Sequence, residues 1–179
     1  MMRSQHGFSL IETVMSLGVL TVGLLGAAGV LAQGMQKLSA SPGDVVTTQK
    51  AAEAIETVFA ARDSHTLTWA QIRNVHGYSG SDNGIFLDGP QALKAPGADG
   101  VVNTTDDGAI ESVTYPGPDQ MLGTADDTTQ PLDKYTREIT IRDVPNENGA
   151  LRSITVTVTY QAGPVLKTYT LTTYISNFA

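Results

Sequence analysis

The 179-residue chain contains no cysteine. That absence excludes disulfides, thiolate nucleophiles, lipoprotein acylation and cysteine-ligated zinc or iron–sulfur sites. Positive charge is also scarce: 11 Lys and Arg stand against 18 Asp and Glu, a formal net charge of −7. An acidic surface repels phosphate backbones, so nucleic acid is not an expected partner. Aromatic residues make up 6% of the chain, too few to argue for electron conduction, and the single tryptophan, Trp69, is expected in the core or at a subunit contact. Catalytic signatures are missing as well. There is no G-x-S-x-G, no Walker loop and no H-E-x-x-H. His65 and His76 lie eleven residues apart without a nearby cysteine, which argues against zinc. Asp63, Ser64 and His65 are merely adjacent, whereas a catalytic triad is assembled by geometry across a fold. No enzymatic activity is expected.

Charge is absent altogether from Thr13 to Gln36, a stretch rich in Leu, Val, Met, Ala and Gly. About 20 apolar residues span a bilayer as a helix, so this segment is long enough. Arg3 and His6 precede it and Lys37 follows it, a flank that favours a cytoplasmic N-terminus and export of the remainder. An ordinary signal peptide has an apolar core of about 7–15 residues. "GVLAQG" offers a small-residue cut after Ala32, but the apolar run is longer than such a core. A plain signal anchor is a second reading, and it leaves Glu12, a carboxylate at the opening of the run, without a purpose. Burying that charge in lipid costs a few kcal/mol.

A third reading starts from Gly7-Phe8-Ser9-Leu10-Ile11-Glu12, on a short basic leader and followed at once by the apolar helix. This string resembles the N-terminal signature of type IV pilins and type II secretion pseudopilins, over roughly residues 1–36. The resemblance implies cutting after Gly7 by a prepilin peptidase, methylation of the new amine on Phe8, and Glu12 as fifth residue of the mature chain. It also implies that Glu12 meets the N-terminal amine of a neighbouring subunit during assembly. A partner cation relieves much of the cost of a carboxylate in lipid. Pairing within the same first helical turn is the local alternative. Many major pilins carry Gly and Pro at the fourteenth and twenty-second mature positions, where this chain has Thr21 and Gly29. Gly18, Gly23, Gly26, Gly29 and Gly34 permit close helix approach.

Beyond the apolar run, Ser41, Pro42 and Asp44 read as an N-cap, first-turn proline and capping acid. They predict a helix over about 43–62, kinked or broken from the first near Pro42, with Ala52, Ile55 and Phe59 on its buried face beside Val58. Three alternating runs near the C-terminus predict an antiparallel meander over about 135–176. Ile139 and Ile141, then Ile154, Val156, Val158 and Tyr160, then Tyr169, Leu171 and Ile175 mark one face. Helix and sheet each have one apolar face to bury, giving an α+β fold: a long N-terminal hydrophobic helix on a three- or four-stranded antiparallel sheet.

Residues 77–133 form a long acidic loop region with an internal echo. "PGADGVVNTTDDG" from Pro96 and "PGPDQMLGTADDT" from Pro116 share P-G-x-D-x4-T-x-D-D at an offset of twenty residues. Two readings apply. Asp99, Asp106 and Asp107, with Asp119, Asp126 and Asp127, supply hard oxygen ligands suited to structural Ca2+. Alternatively they are solvated turns whose carboxylates bond local backbone amides. Neither loop has the terminal glutamate of an EF-hand.

The expected organisation is a leader over 1–7, a transmembrane and assembly helix over 8–40, and an extracytoplasmic globular domain over 41–179. The expected function is a filament subunit of a pilus or pseudopilus. Its expected partners are other pilin or pseudopilin subunits, the prepilin peptidase, an inner-membrane assembly platform and membrane lipid. It would reside single-pass in the bacterial inner membrane, N-terminus cytoplasmic, before entering a periplasmic pseudopilus or surface pilus. A membrane-anchored extracytoplasmic binding or enzymatic domain with an uncut anchor is the alternative.

Overall fold

The computed structural model describes residues 9–77 and 83–178, apart from the side chains of 36–41. Helix α1 runs from Leu10 to Asp63 with Pro42 inside it. The chain separates into two compact units, Met1–Pro42 and Gly43–Ala179. In the first unit, every described side chain of α1 from Leu10 to Met35 is solvent-exposed. These 26 residues are long and apolar enough to cross a membrane. At about 1.5 Å per residue they exceed the roughly 30 Å hydrocarbon core.

The second unit packs the C-terminal part of α1 on a four-stranded antiparallel sheet of order β1-β4-β5-β6. Its strands are β1 (Gln91–Ala92), β4 (Tyr135–Asp143), β5 (Leu151–Ala162) and β6 (Val165–Ser176). Two further strands, β2 (Ser112–Tyr115) and β3 (Thr128–Pro131), form a separate antiparallel pair. The α+β class and the C-terminal meander agree with the alternation read from sequence. On the inward face, Ile139 pairs with Val156 and Ile141 with Ile154, then Val156 with Leu171 and Val158 with Tyr169. The outward face carries threonine pairs, Thr155–Thr172, Thr157–Thr170 and Thr159–Thr168, whose hydroxyls lie 3.1–3.3 Å apart.

One expectation for α1 needs correction, the face it buries. The helix runs on through Pro42 and Gly43, and the Ser41 side chain expected as its cap lies outside the described ones. Gly43 has a packing role: a Cβ there would overlap the Tyr160 ring. That ring stacks on Tyr135 with centroids 5.1 Å apart, and its hydroxyl donates to Asp44 Oδ1 at 2.7 Å. The buried stripe is one position away from the expected face. Ala51, Ala54, Val58 and Ala61 are buried, whereas Ile55 and Phe59 sit at the margin, partly covered. Three alanines make up most of the buried stripe, and the larger Ile55 and Phe59 pack against the core from its margin.

Two arginines share the inward parity of their strands and are buried, a consequence the sequence reading missed. Arg152 donates to Asp143 Oδ1 at 2.9 Å and to the Ile72 and Trp69 carbonyls, and its guanidinium lies 4.0 Å from the Trp69 ring centroid. Trp69 in turn donates Nε1–H to the Gly149 carbonyl at 2.8 Å, so it belongs to the core margin. The outer edge of β4 is covered by β1 and by side-chain amides. Asn74 donates to the Ile139 carbonyl and accepts from Ile141 N–H, both at 2.8 Å, imitating a strand.

Candidate assembly helix and paired acidic loops

The first turn of α1 is built by residues of the quoted signature. Ser9 precedes the helix, and its Oγ accepts the Glu12 N–H at 3.3 Å. Its carbonyl accepts the Thr13 N–H at 3.1 Å. Ser9-x-x-Glu12 has the spacing of a capping box, which satisfies N–H groups that a helix start leaves open. Glu12 also stands in the first turn, where the helix dipole favours a carboxylate. The capping role of Ser9 was overlooked at the sequence level, although S-x-x-E ahead of an apolar run is its recognised signal. Gly7 and Phe8 lie outside the described residues.

Further along, the few hydroxyls of the apolar stretch are satisfied within the helix. Ser16 donates to the Glu12 carbonyl at 2.7 Å and Thr21 to the Leu17 carbonyl at 2.5 Å. No hydroxyl of these two side chains is then left open where water is absent. Gly18, Gly23, Gly26, Gly29 and Gly34 have no heavy atom within 4 Å of where a Cβ would stand. The helix therefore offers bare backbone at five points for the approach of another helix.

The six aspartates form two loops of the same construction. Ala95 and Gly108 close the first, and Tyr115 and Thr128 of β2 and β3 close the second. Asp99 Oδ1 accepts the Val101 N–H at 3.0 Å, and Asp119 Oδ1 accepts the Met121 N–H at 2.9 Å. Asp106 Oδ1 takes the Thr104 hydroxyl at 2.7 Å, and Asp126 Oδ1 takes that of Thr124 at 2.6 Å. Asp107 Oδ2 accepts the Asn103 N–H at 2.9 Å, and Asp127 Oδ2 accepts the Gly123 N–H at 2.6 Å. Positive φ recurs at equivalent places: Gly100 (74°) with Gln120 (57°), and Asn103 (63°) with Gly123 (90°). Gly97 and Gly117 lie so close to Asp106 and Asp126 that a Cβ would overlap the carboxylates.

The electrostatics follow from these bonds. The Thr104 and Thr124 hydroxyls, helped by backbone amides, hold Asp106 and Asp126 below the usual carboxylate range. Burial, reinforced by the Asp106 and Asp107 charges, pushes Asp99 up. The carboxylates thus act as acceptors for the loop's own donors. Among the described residues no group of three or more His, Cys, Asp or Glu side chains is arranged to hold a metal ion.

One loop is anchored and the other is not. Asn103 donates Nδ2–H to the Arg137 carbonyl at 2.7 Å and accepts Arg137 Nε–H at 2.8 Å. Arg137 also donates to the Lys94 carbonyl at 3.0 Å and faces Glu111 at 3.4 Å, and Glu111 binds Lys50 of α1 as well. The second loop has Gly123 where the first has Asn103. Val101 and Val102 are buried at 0% and 1% exposure, whereas the equivalent Met121 and Leu122 are 63% and 66% exposed.

Comparison with curated proteins and with solved structures yields no match. A family model does match, over the capped start of α1 and the residues before it. Residues 2–28 carry the prokaryotic N-terminal methylation motif, the signal motif of type IV pilins and pseudopilins.

Proposed function

We propose that the chain is a structural subunit of a type IV pilus or type II secretion pseudopilus. In this reading a prepilin peptidase cuts after Gly7 and methylates Phe8, and the mature chain polymerises through its N-terminal helix. The observation that carries it is Glu12 in the matched motif, five residues beyond Gly7, at the head of a helix whose side chains from Leu10 to Met35 are all exposed. An exposed apolar helix of this length needs lipid or other helices around it. The new amine at Phe8 supplies the cation that makes a carboxylate at that depth tolerable.

Before assembly the helix spans the inner membrane with its leader in the cytoplasm, and the unit from Gly43 onward is exported. The assembled state buries the same helix among its neighbours. Mass spectrometry of the native N-terminus tests the reading: a chain beginning at methylated Phe8 is expected. An intact leader overturns it in favour of a simple membrane anchor. Glu12→Ala is expected to abolish assembly while the chain still inserts in the membrane.

A further inference from the structure

The four-stranded sheet treats its two edges differently. On the β4 side, β1 pairs with Thr136 and Arg137, and the Asn74 amide binds the Ile139 carbonyl and the Ile141 N–H. On the other side β6, a strand of 12 residues, has no strand beside it among the described residues. Its pairing with β5 runs from Val165 to Ser176 without a bulge, and it contains no proline. Its one charge, Lys167, is turned to Asp44, whose two oxygens it binds at 3.0 and 2.7 Å. Long, regular, uncharged edges are what natural sheets avoid unless another strand covers them.

The ladder determines which groups that edge presents. Asn74 occupies the outer side of Ile139 and Ile141, so the even-numbered residues of β4 bond to β5. Carried across the two registers, the odd-numbered residues of β6 bond to β5 and the even-numbered ones point away from the sheet. Leu166, Thr168, Thr170, Thr172 and Tyr174 therefore turn their backbone N–H and C=O groups outward, and their side chains are exposed. On the core face Tyr169 and Leu171 are only partly covered, whereas Val158 and Val156 opposite them are fully buried.

The sequence of β6 is complementary to itself. Turned antiparallel about Thr170, the strand sets Thr170 opposite Thr170 of a second copy, Thr168 opposite Thr172 and, on the core face, Tyr169 opposite Leu171. The threonine pairs repeat those that already join β5 to β6. Leu166 and Tyr174, 69% and 60% exposed, meet each other at both ends of the ladder. Pairs of these kinds stabilise adjacent strands, and Lys167 falls opposite Thr173, so no like charges meet. A slip of two residues either way loses the match, since Leu166 then faces Thr172 or Ser176.

We infer that β6 pairs antiparallel with β6 of a second copy of this chain, centred on Thr170, joining two four-stranded sheets into one. The contact is isologous and closes at two copies. It cannot propagate a polymer, so it is separate from assembly through the N-terminal helix and does not rest on the filament reading. Within that reading it ties subunits of different filaments side by side, because no two-fold axis relates the subunits of one polar filament.

The chain has no native cysteine, so single exposed positions report the pairing. Opposed residues that exchange backbone bonds lie about 5.5 Å apart at Cα, within reach of a disulfide. Full-length Thr170→Cys, extracted in detergent and oxidised, is expected to give a covalent dimer. Thr168→Cys and Thr172→Cys are each displaced from their own counterpart by about 13 Å along the strands. Each is expected to stay monomeric alone and to dimerise when the two are mixed. Adding Thr170→Lys to both members of the mixture sets two ammonium groups opposite each other and is expected to abolish that dimer. A monomeric Thr170→Cys with a monomeric mixture overturns the inference. So do dimers from Thr168→Cys alone in the same yield as from Thr170→Cys, which would mark random collision.

Discussion

Replacing Glu111 by Gln isolates the charge that joins α1, the first loop and the sheet. Glu111 is almost fully buried, with 8% of its side chain exposed, and both its oxygens face cations: Lys50 and the fully buried Arg137. Burial pulls the Arg137 guanidinium below its ordinary value, and the Glu111 and Asp107 charges oppose that pull. Burial also works against the Lys50 ammonium, yet Glu111 and Glu53 more than offset it and hold its pKa up. Removing one partner of a buried ion pair costs about 3–5 kcal/mol, because the other charge stays behind uncompensated. Here Lys50 keeps Glu53 at 2.6 Å and some contact with water. Arg137 keeps the neutral acceptors Asn103 Oδ1 and the Lys94 carbonyl, with the Asp107 and Glu53 charges nearby. The expected loss is therefore at the low end, about 3 kcal/mol.

Urea unfolding of the fragment from Gly43 onward measures this loss. With a slope of about 1.5 kcal/mol per molar, the midpoint should fall by roughly 2 M with no change of slope. Substituting Glu111→Leu and Arg137→Met together should not recover the loss, since the buried Asn103 Oδ1 and the Lys94 carbonyl then lose the donors that Arg137 supplies. A Glu111→Gln midpoint within about 0.5 M of the parent refutes the reasoning. So does a double variant as stable as the parent.

The two loops should respond unequally to equivalent truncations: Val102→Ala should destabilise by about 2 kcal/mol through lost burial and a cavity, and Leu122→Ala by less than about 0.5 kcal/mol, read by the same unfolding assay. Gly43→Ala should cost about 1–3 kcal/mol, because the Tyr160 ring that would have to move is fixed by Tyr135 and Asp44, and an unchanged melting temperature would refute that packing role. Chelation should leave the melting temperature of the fragment unchanged, because the loops are closed by their own N–H and O–H donors, whereas a fall of several degrees would favour the calcium reading of the six aspartates. Asp44, Asp106 and Asp126 are held below their ordinary value of 3.8, so their stabilisation is complete above that pH and is lost as pH falls through the lower folded values. Asp99, shifted upward, works in the opposite direction, so circular dichroism should show unfolding that begins below about pH 4 and is softened by Asp99.

Much of this structure was legible because its signals are periodic. Alternation in the C-terminal third located β4, β5 and β6 and the side chains they bury. The same parity also places Arg137 with Ile139 and Ile141, and Arg152 with Ile154, yet a charged residue on an inward position is easily read as an exception. The buried stripe of α1 was harder because its contacts are made by alanines, whose small surface gives a weak signal beside Ile55 and Phe59. The motif from Gly7 to Glu12 was legible in full, and its capping geometry at Ser9 needed only the recognised S-x-x-E spacing.

The loops show where periodicity ceases to inform. Their shared pattern foretold a shared construction, and the positive φ angles and aspartate bonds agree in both. Val101-Val102 and Met121-Leu122 are both apolar pairs, so nothing in the pairs themselves says that one is buried. The decision lies two places beyond the first residue of each pair. Asn103 and Gly123 both suit positive φ, which made them look interchangeable. Only Asn103 has an amide to bind Arg137 from both of its polar ends, and that pair of bonds ties the first loop to the sheet. Gly123 keeps the shape of the loop and lacks the tether, which is why a repeat built once for the core recurs with its apolar pair turned to solvent.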